Sequence, residues 1–127
     1  MRVFKTKWFV RFARKERITD RTLWNAVDQA DRDLIDADLG GGVIKQRLAR
    51  SGQGKSSGYR TIVVYRTKAR AIYVYAFAKS GKADLDPDEL EGYRDLAKVY
   101  LAKSERDMDG YVAEGALTEV MDNDDED

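Results

Sequence analysis

Neither cysteine nor histidine occurs in the 127-residue chain. The first absence excludes disulfides and thiolate metal sites, and the second removes the usual imidazole base and the commonest zinc ligand. Catalysis would then have to use lysine, arginine, tyrosine or carboxylates, and neither a metal nor another cofactor is expected. No apolar stretch approaches the roughly 20 residues that cross a bilayer, and the first residues lack the apolar run of a signal peptide. The expectation is a soluble, cytoplasmic protein with no membrane partner. A third absence is local. From Leu39 to Ala83 there is no Asp or Glu, although the whole chain carries 23 acids and 23 Lys or Arg.

That acid-free stretch holds ten cations: Lys45, Arg47, Arg50, Lys55, Arg60, Arg66, Lys68, Arg70, Lys79 and Lys82. Residues 1 to 82 contain 19 basic and 7 acidic side chains, and residues 83 to 127 contain 4 and 16. A basic body with an acidic tail is a common pattern in nucleic-acid-binding proteins, where the tail competes for the same face. The length suits one ordinary domain that buries about two-thirds of its unfolded surface. We place that domain at residues 1–121 and read 122–127 as an acidic tail.

Periodicity gives the elements. Arg2 to Thr6 reads as a short edge strand. Between Lys7 and Glu16, Trp8, Phe9, Phe12 and Ala13 fall on one helical face, with an alternating strand through Trp8, Val10 and Phe12 as the rival reading. Thr19 or Asp20 can cap a helix from about Asp20 to Ile35, carrying Leu23, Ala26, Val27, Ala30 and Leu34. Gly40, Gly41 and Gly42 then form a flexible connector. They lack the Lys-Ser/Thr pair of a phosphate loop. Strands follow at Val43–Ala49, Tyr59–Arg66 and Ala71–Lys79, joined by the long loop SGQGKSSG and the short turn TKAR. Asp86, Pro87 and Glu89 occupy the N-cap, N1 and N3 positions of a helix running to about Lys103. Met108, Val112 and Leu117 suggest one more short helix ending near Gly115.

Antiparallel pairing of the three strands would gather Lys45, Arg47, Lys55, Arg60 and Lys79 on one small surface. That surface suits several phosphates, although cations also keep exposed sheets soluble. Tyr59, Tyr73 and Tyr75 could stack on splayed bases or serve as ordinary packing residues. Cleavage of RNA by its own 2′-hydroxyl needs a base, cations for the phosphorane and an acid for the 5′-oxygen. Lysine is a competent base where crowded cations depress its pKa, and arginine can hold the developing charge. The carboxylates Asp31, Asp33, Asp36 and Asp38 read as structural, because their two-residue spacing on a helix points them apart.

The runs DADLGGGVIKQRLARSGQGKSSGYRTIVVYR and RAIYVYAFAKSGKADLDPDEL, with KTKWFVRFARKE before them, resemble the RelE/ParE toxin superfamily and within it the HigB-like RelE branch of type II toxin–antitoxin systems. The resemblance covers roughly residues 3 to 103, and its most specific pieces are GQGKSSGYR and YAFAKSGKADL. It implies an α+β fold, with a small, mostly antiparallel twisted sheet packed by N-terminal helices and a C-terminal helix. It also implies ribosome-dependent mRNA endonuclease activity that inhibits translation, and neutralisation by a cognate antitoxin. By position it implies catalytic roles for Lys45 and Arg47, one of them as base, for Arg60 as phosphate ligand and for Lys79. Lys55 matches a basic position of the HigB-like branch, and Arg50, Tyr59, Tyr75 and Lys82 complete the expected RNA contacts.

Two departures from the family pattern stand out. After Lys82 no tyrosine comes before Tyr93, inside the expected helix, so the leaving-group acid is unassigned. The histidines of some relatives are also missing. A ParE-like gyrase inhibitor and a non-catalytic RNA- or antitoxin-binding module are the alternative readings, because a shared fold does not fix function.

Overall fold

The computed structural model describes residues 1–48, 58–78 and 85–122. Among these, six strands and four helices follow in the order β1 (Arg2–Thr6), α1 (Lys7–Glu16), α2 (Asp20–Asp31), β2 (Ala37–Gly40), β3 (Val43–Leu48), β4 (Tyr59–Arg66), β5 (Arg70–Ala78), α3 (Pro87–Ala102), α4 (Glu105–Ala113) and β6 (Leu117–Val120). The strands form one sheet in the order β2-β3-β4-β5-β1-β6. Every pairing is antiparallel except that of β1 with β5. The fold is α+β, as expected.

Two apolar clusters sandwich the sheet. On one face, Phe9, Ala13, Leu23, Ala26, Val27 and Ala30 of α1 and α2 pack on Ile44, Leu48, Val63 and Tyr73. On the other, Ala97 of α3 and Met108 of α4 pack on Phe4, Val43, Ile62, Val64 and Ile72. The near-continuous apolar runs of β4 and β5 follow from this cover on both sides. Tyr73 lies at the centre of the first cluster and donates its hydroxyl hydrogen to the Leu23 carbonyl at 2.7 Å. Burial pushes its pKa upward.

The helical reading of Lys7 to Glu16 holds, with the Thr6 hydroxyl accepting from the Phe9 N–H at the start. Helix α3 begins with the expected capping box on Asp86 and Glu89 and with Pro87 at its first position. Four expectations are corrected. Helix α2 ends at Asp31 rather than Ile35, because the chain reverses through Asp33 at φ 66°. Leu34, which falls on the apolar stripe by spacing, is consequently 62% exposed. The segment after it forms β2, a strand that periodicity does not reveal in four residues. The glycine triplet is a tight hairpin turn, not a loose connector, with φ of 80°, 64° and 84°. It presses on α3, where a Cβ at Gly42 would lie 2.7 Å from Leu101 Cδ1.

The other two corrections concern the far edge. Strand β1 is internal, because β6 pairs along it from Val3–Val120 to Thr6–Leu117. Leu117 therefore belongs to a strand, and helix α4 stops at Ala113. The Arg2 guanidinium ties these parts together. It pairs with Glu119 on β6 at 2.8 Å and with Glu105 and Asp109 on α4 at 3.0 and 2.8 Å.

Candidate nucleic-acid interface

Residues along β3 alternate between the two clusters. Ile44, Gln46 and Leu48 face α1 and α2, while Val43, Lys45 and Arg47 take the α3 side. On β4, Tyr59, Thr61 and Val63 occupy the first side, and Arg60 and Ile62 the second. Arg47 and Arg60 are Cα partners across the ladder, and Lys45 pairs with Ile62. Lys45, Arg47 and Arg60 thus share one end of one sheet face.

Strand β5 reaches that face through an irregularity in register. Ile62 pairs with Tyr75 and Val63 with Tyr73, which leaves Val74 as an extra residue on β5. Both Val74 and Tyr75 then pack on the α3 side, whereas Tyr73 packs on the other. A bulge of this kind inverts the alternation beyond it. It carries Tyr75 and Phe77 to the side of Arg60, and Phe77 is the Cα partner of Arg60.

Aromatic rings border this region. Tyr75 lies 4.8 Å from Trp8 and 6.0 Å from Tyr93, ring centre to ring centre, with Tyr93 nearly parallel to it. Trp8 is 38% exposed and also stacks on Phe12 at 5.3 Å. The Tyr93 phenol is pushed up to about 12, chiefly by burial and then by Tyr75 and Glu89. It is therefore protonated at neutral pH.

One carboxylate organises the arginines. Asp36, just before β2, accepts from Arg47 Nε at 2.7 Å through Oδ1, and its Oδ2 lies 3.9 Å from Arg60 Nε. The Asp36 side chain is largely buried, as is that of Arg60, while Arg47 is about half exposed. Asp36 is itself fixed through its main chain, where its N–H donates to Gln46 Oε1 at 2.9 Å. The Gln46 amide nitrogen donates in turn to the carbonyls of Ala26 and Leu34, both at 3.0 Å. The buried glutamine thus ties the end of α2, the start of β2 and β3 together. Arg60 Nη1 is buried without a hydrogen-bond partner among the described residues.

The expected site residues divide into three groups. Lys45, Arg47, Arg60 and Tyr75 come together as described. Tyr59 does not: its ring packs edge-on against Phe12, its hydroxyl bonds Glu16, and it is 4% exposed on the α1–α2 side. A ring so enclosed offers no stacking surface, which corrects its reading as an RNA contact. Arg50, Lys55, Lys79 and Lys82 lie outside the described residues. Arg66 and Arg70 belong to the opposite end of the sheet, where both guanidiniums cap the last carbonyls of α3. The residue missed from sequence is Asp36, whose role depends on a strand too short to leave a periodic signal.

The fold and this end of the sheet define a small α+β protein with a paired-arginine face suited to anions. The family described as RelE toxin of RelE / RelB toxin-antitoxin system matches residues 1–120, and the chain belongs to it. Membership gives the chain the toxin role and implies an antitoxin partner. No curated protein matches the chain. No described helix is long and apolar enough to cross a membrane.

Proposed function

We propose that the chain is a HigB-like ribosome-dependent mRNA endonuclease of a type II toxin–antitoxin system. The observation that carries this reading is the pairing of Arg47 with Arg60 on one sheet face, with Lys45 two residues away on the same strand. In the proposed reaction the Lys45 amine takes the proton of a ribose 2′-hydroxyl, and that oxygen attacks the adjacent phosphorus. Arg60 and Arg47 hold the charge that grows on the phosphoryl oxygens. The bond from phosphorus to the 5′-oxygen breaks, leaving a 2′,3′-cyclic phosphate and a 5′-hydroxyl once the departing oxygen has gained a proton. Tyr75 and Tyr93, stacked on that side of the sheet, are the phenols whose replacement by phenylalanine probes the proton donor. Lys79, Lys55, Arg50 and Lys82 complete the proposed contacts with the message.

The test is controlled expression with and without the neighbouring antitoxin, with cut sites mapped on translated mRNA. Growth arrest with new 5′-hydroxyl ends supports the endonuclease. The single charge of Asp36, which offsets half of the charge on Arg47 and Arg60, favours as a second reading an RNA-binding module that does not cut. Salt-sensitive RNA binding without new ends would single that reading out. A DNA-damage response without mRNA cleavage would instead mark a gyrase inhibitor.

A further inference from the structure

Asp36 sits where an anion would be expected to sit. Its two carboxylate oxygens face Arg47 Nε at 2.7 Å and Arg60 Nε at 3.9 Å. Two cationic residues directly opposed across a ladder repel each other, and an interposed negative charge relieves that repulsion. A phosphodiester approaching the same guanidiniums carries the same charge and similar oxygen acceptors. Carboxylate and phosphate therefore compete for one pair of arginines.

Three further observations bear on how that competition runs. Asp36 is anchored by its main-chain N–H to Gln46, so its placement does not depend on the arginines it contacts. Arg60 Nη1 is buried and unpartnered among the described residues, so the guanidinium retains unused donor capacity beside the carboxylate. Asp36 and Arg47, though not Arg60, also line a cleft of about 370 Å³ with Gln29, Leu34, Ile35 and Gln46, so a solute can reach the Asp36–Arg47 contact.

We propose that Asp36 is an internal counter-anion that an RNA phosphate must displace from Arg47, and that it sets the affinity of this face for its substrate. The inference rests on the phosphodiester-binding reading above. Arg47, half exposed and on a long flexible stem, is the partner that swings from carboxylate to phosphate. Arg60, enclosed, stays in place and adds its unused donor.

The test is binding of a short single-stranded RNA carrying 2′-deoxy substitutions that prevent cleavage, measured by anisotropy over a series of salt concentrations. Asp36→Asn keeps the shape and the main-chain anchor but removes the charge. It should bind about two- to fivefold more tightly, the range of one partly exposed ion pair. Its logarithmic salt slope should steepen by about 0.7, because the site then carries one more net positive charge toward the single strand. Asp36→Glu should keep wild-type affinity and slope, and Arg47→Ala should abolish the gain of Asp36→Asn. In the wild-type protein itself, the Arg47 Nε–H resonance should shift on RNA addition, a readout that needs no variant to fold.

Inorganic pyrophosphate is the second probe. Wild-type binding to RNA with no gain in Asp36→Asn on either probe, or with an unmoved Arg47 resonance, overturns the counter-anion. A gain toward pyrophosphate with no RNA binding by either protein upholds it and overturns the RNA reading. Failure to bind either probe overturns both.

Discussion

Arg47 and Arg60 are Cα partners across the β3–β4 ladder, and a single carboxylate, Asp36, lies against the Nε of each. The buried member of this pair is poorly satisfied, because Arg60 is 7% exposed and its Nη1 has no partner among the described residues. Replacing a buried, incompletely paired ion with an apolar group of similar length is often neutral or stabilising. In the proposed endonuclease reaction, Arg60→Met should reduce RNA cleavage by about 10² to 10³, the usual loss for one donor to transition-state charge. Its denaturant midpoint should match or exceed that of the wild type. A midpoint well below wild type would show that the arginine is there for stability rather than chemistry.

Gln46 tests the support beneath that site. Its amide donates to the Ala26 and Leu34 carbonyls and accepts from the Asp36 N–H. Gln46→Leu keeps the volume but strands the Asp36 N–H and the Leu34 carbonyl, each worth about 1 kcal/mol or more when buried unpaired, while the Ala26 carbonyl keeps its place in the helix. The expected loss in urea unfolding is about 2 kcal/mol. RNA affinity should change with it, because the variant also releases Asp36.

The hairpin turn gives a backbone prediction. Gly42 combines φ of 84° with a space that Leu101 already fills. Gly42→Ala should destabilise by about 1 to 3 kcal/mol, from the left-handed conformation and the displaced leucine together. Gly110 sits in open space by comparison, and Gly110→Ala within α4 should be neutral or stabilising by up to about 1 kcal/mol. The contrast between the two midpoints is the measurement.

Alkali should unfold the protein through its tyrosines. The Tyr65 and Tyr93 phenols are pushed up to about 12, largely by burial, and Tyr73 is also raised. A folded pKa above the unfolded value means that the folded state holds its proton more tightly. The stabilisation is complete below about pH 10, the ordinary phenol value, and is lost as pH rises toward 12. Circular dichroism and tyrosinate absorbance should change together across that window. Ionisation of all the tyrosines near pH 10 with the fold intact would contradict the burial.

Much of this architecture is legible in the residues. Asp86, Pro87 and Glu89 announce α3 because capping is local chemistry. Tyr59–Arg66 shows as a strand because β-branched and aromatic residues fill it. Strands β2 and β6 do not show, since four residues carry no period and their partners lie far along the chain. The acid-free stretch does not gather its cations in one place. Lys45, Arg47 and Arg60 gather on one face, but Arg66 and Arg70 hold the carbonyls of α3 at the other end. A count of cations cannot separate these uses, because the separation is made by strand polarity. The bulge at Val74 is equally hidden, yet it decides which tyrosine joins the arginines. Asp36 reads as one of four structural carboxylates on a helix until β2 brings it beside them.

The pairing of β1 with β6 has a consequence for folding. The strand that covers the outer side of β1, Leu117–Val120, lies far along the chain from it. Until β6 docks, β1 presents one row of main-chain donors and acceptors open to another strand. Contacts of such long range close slowly, so the uncovered edge of β1 is where a refolding molecule is most prone to pair with a second one.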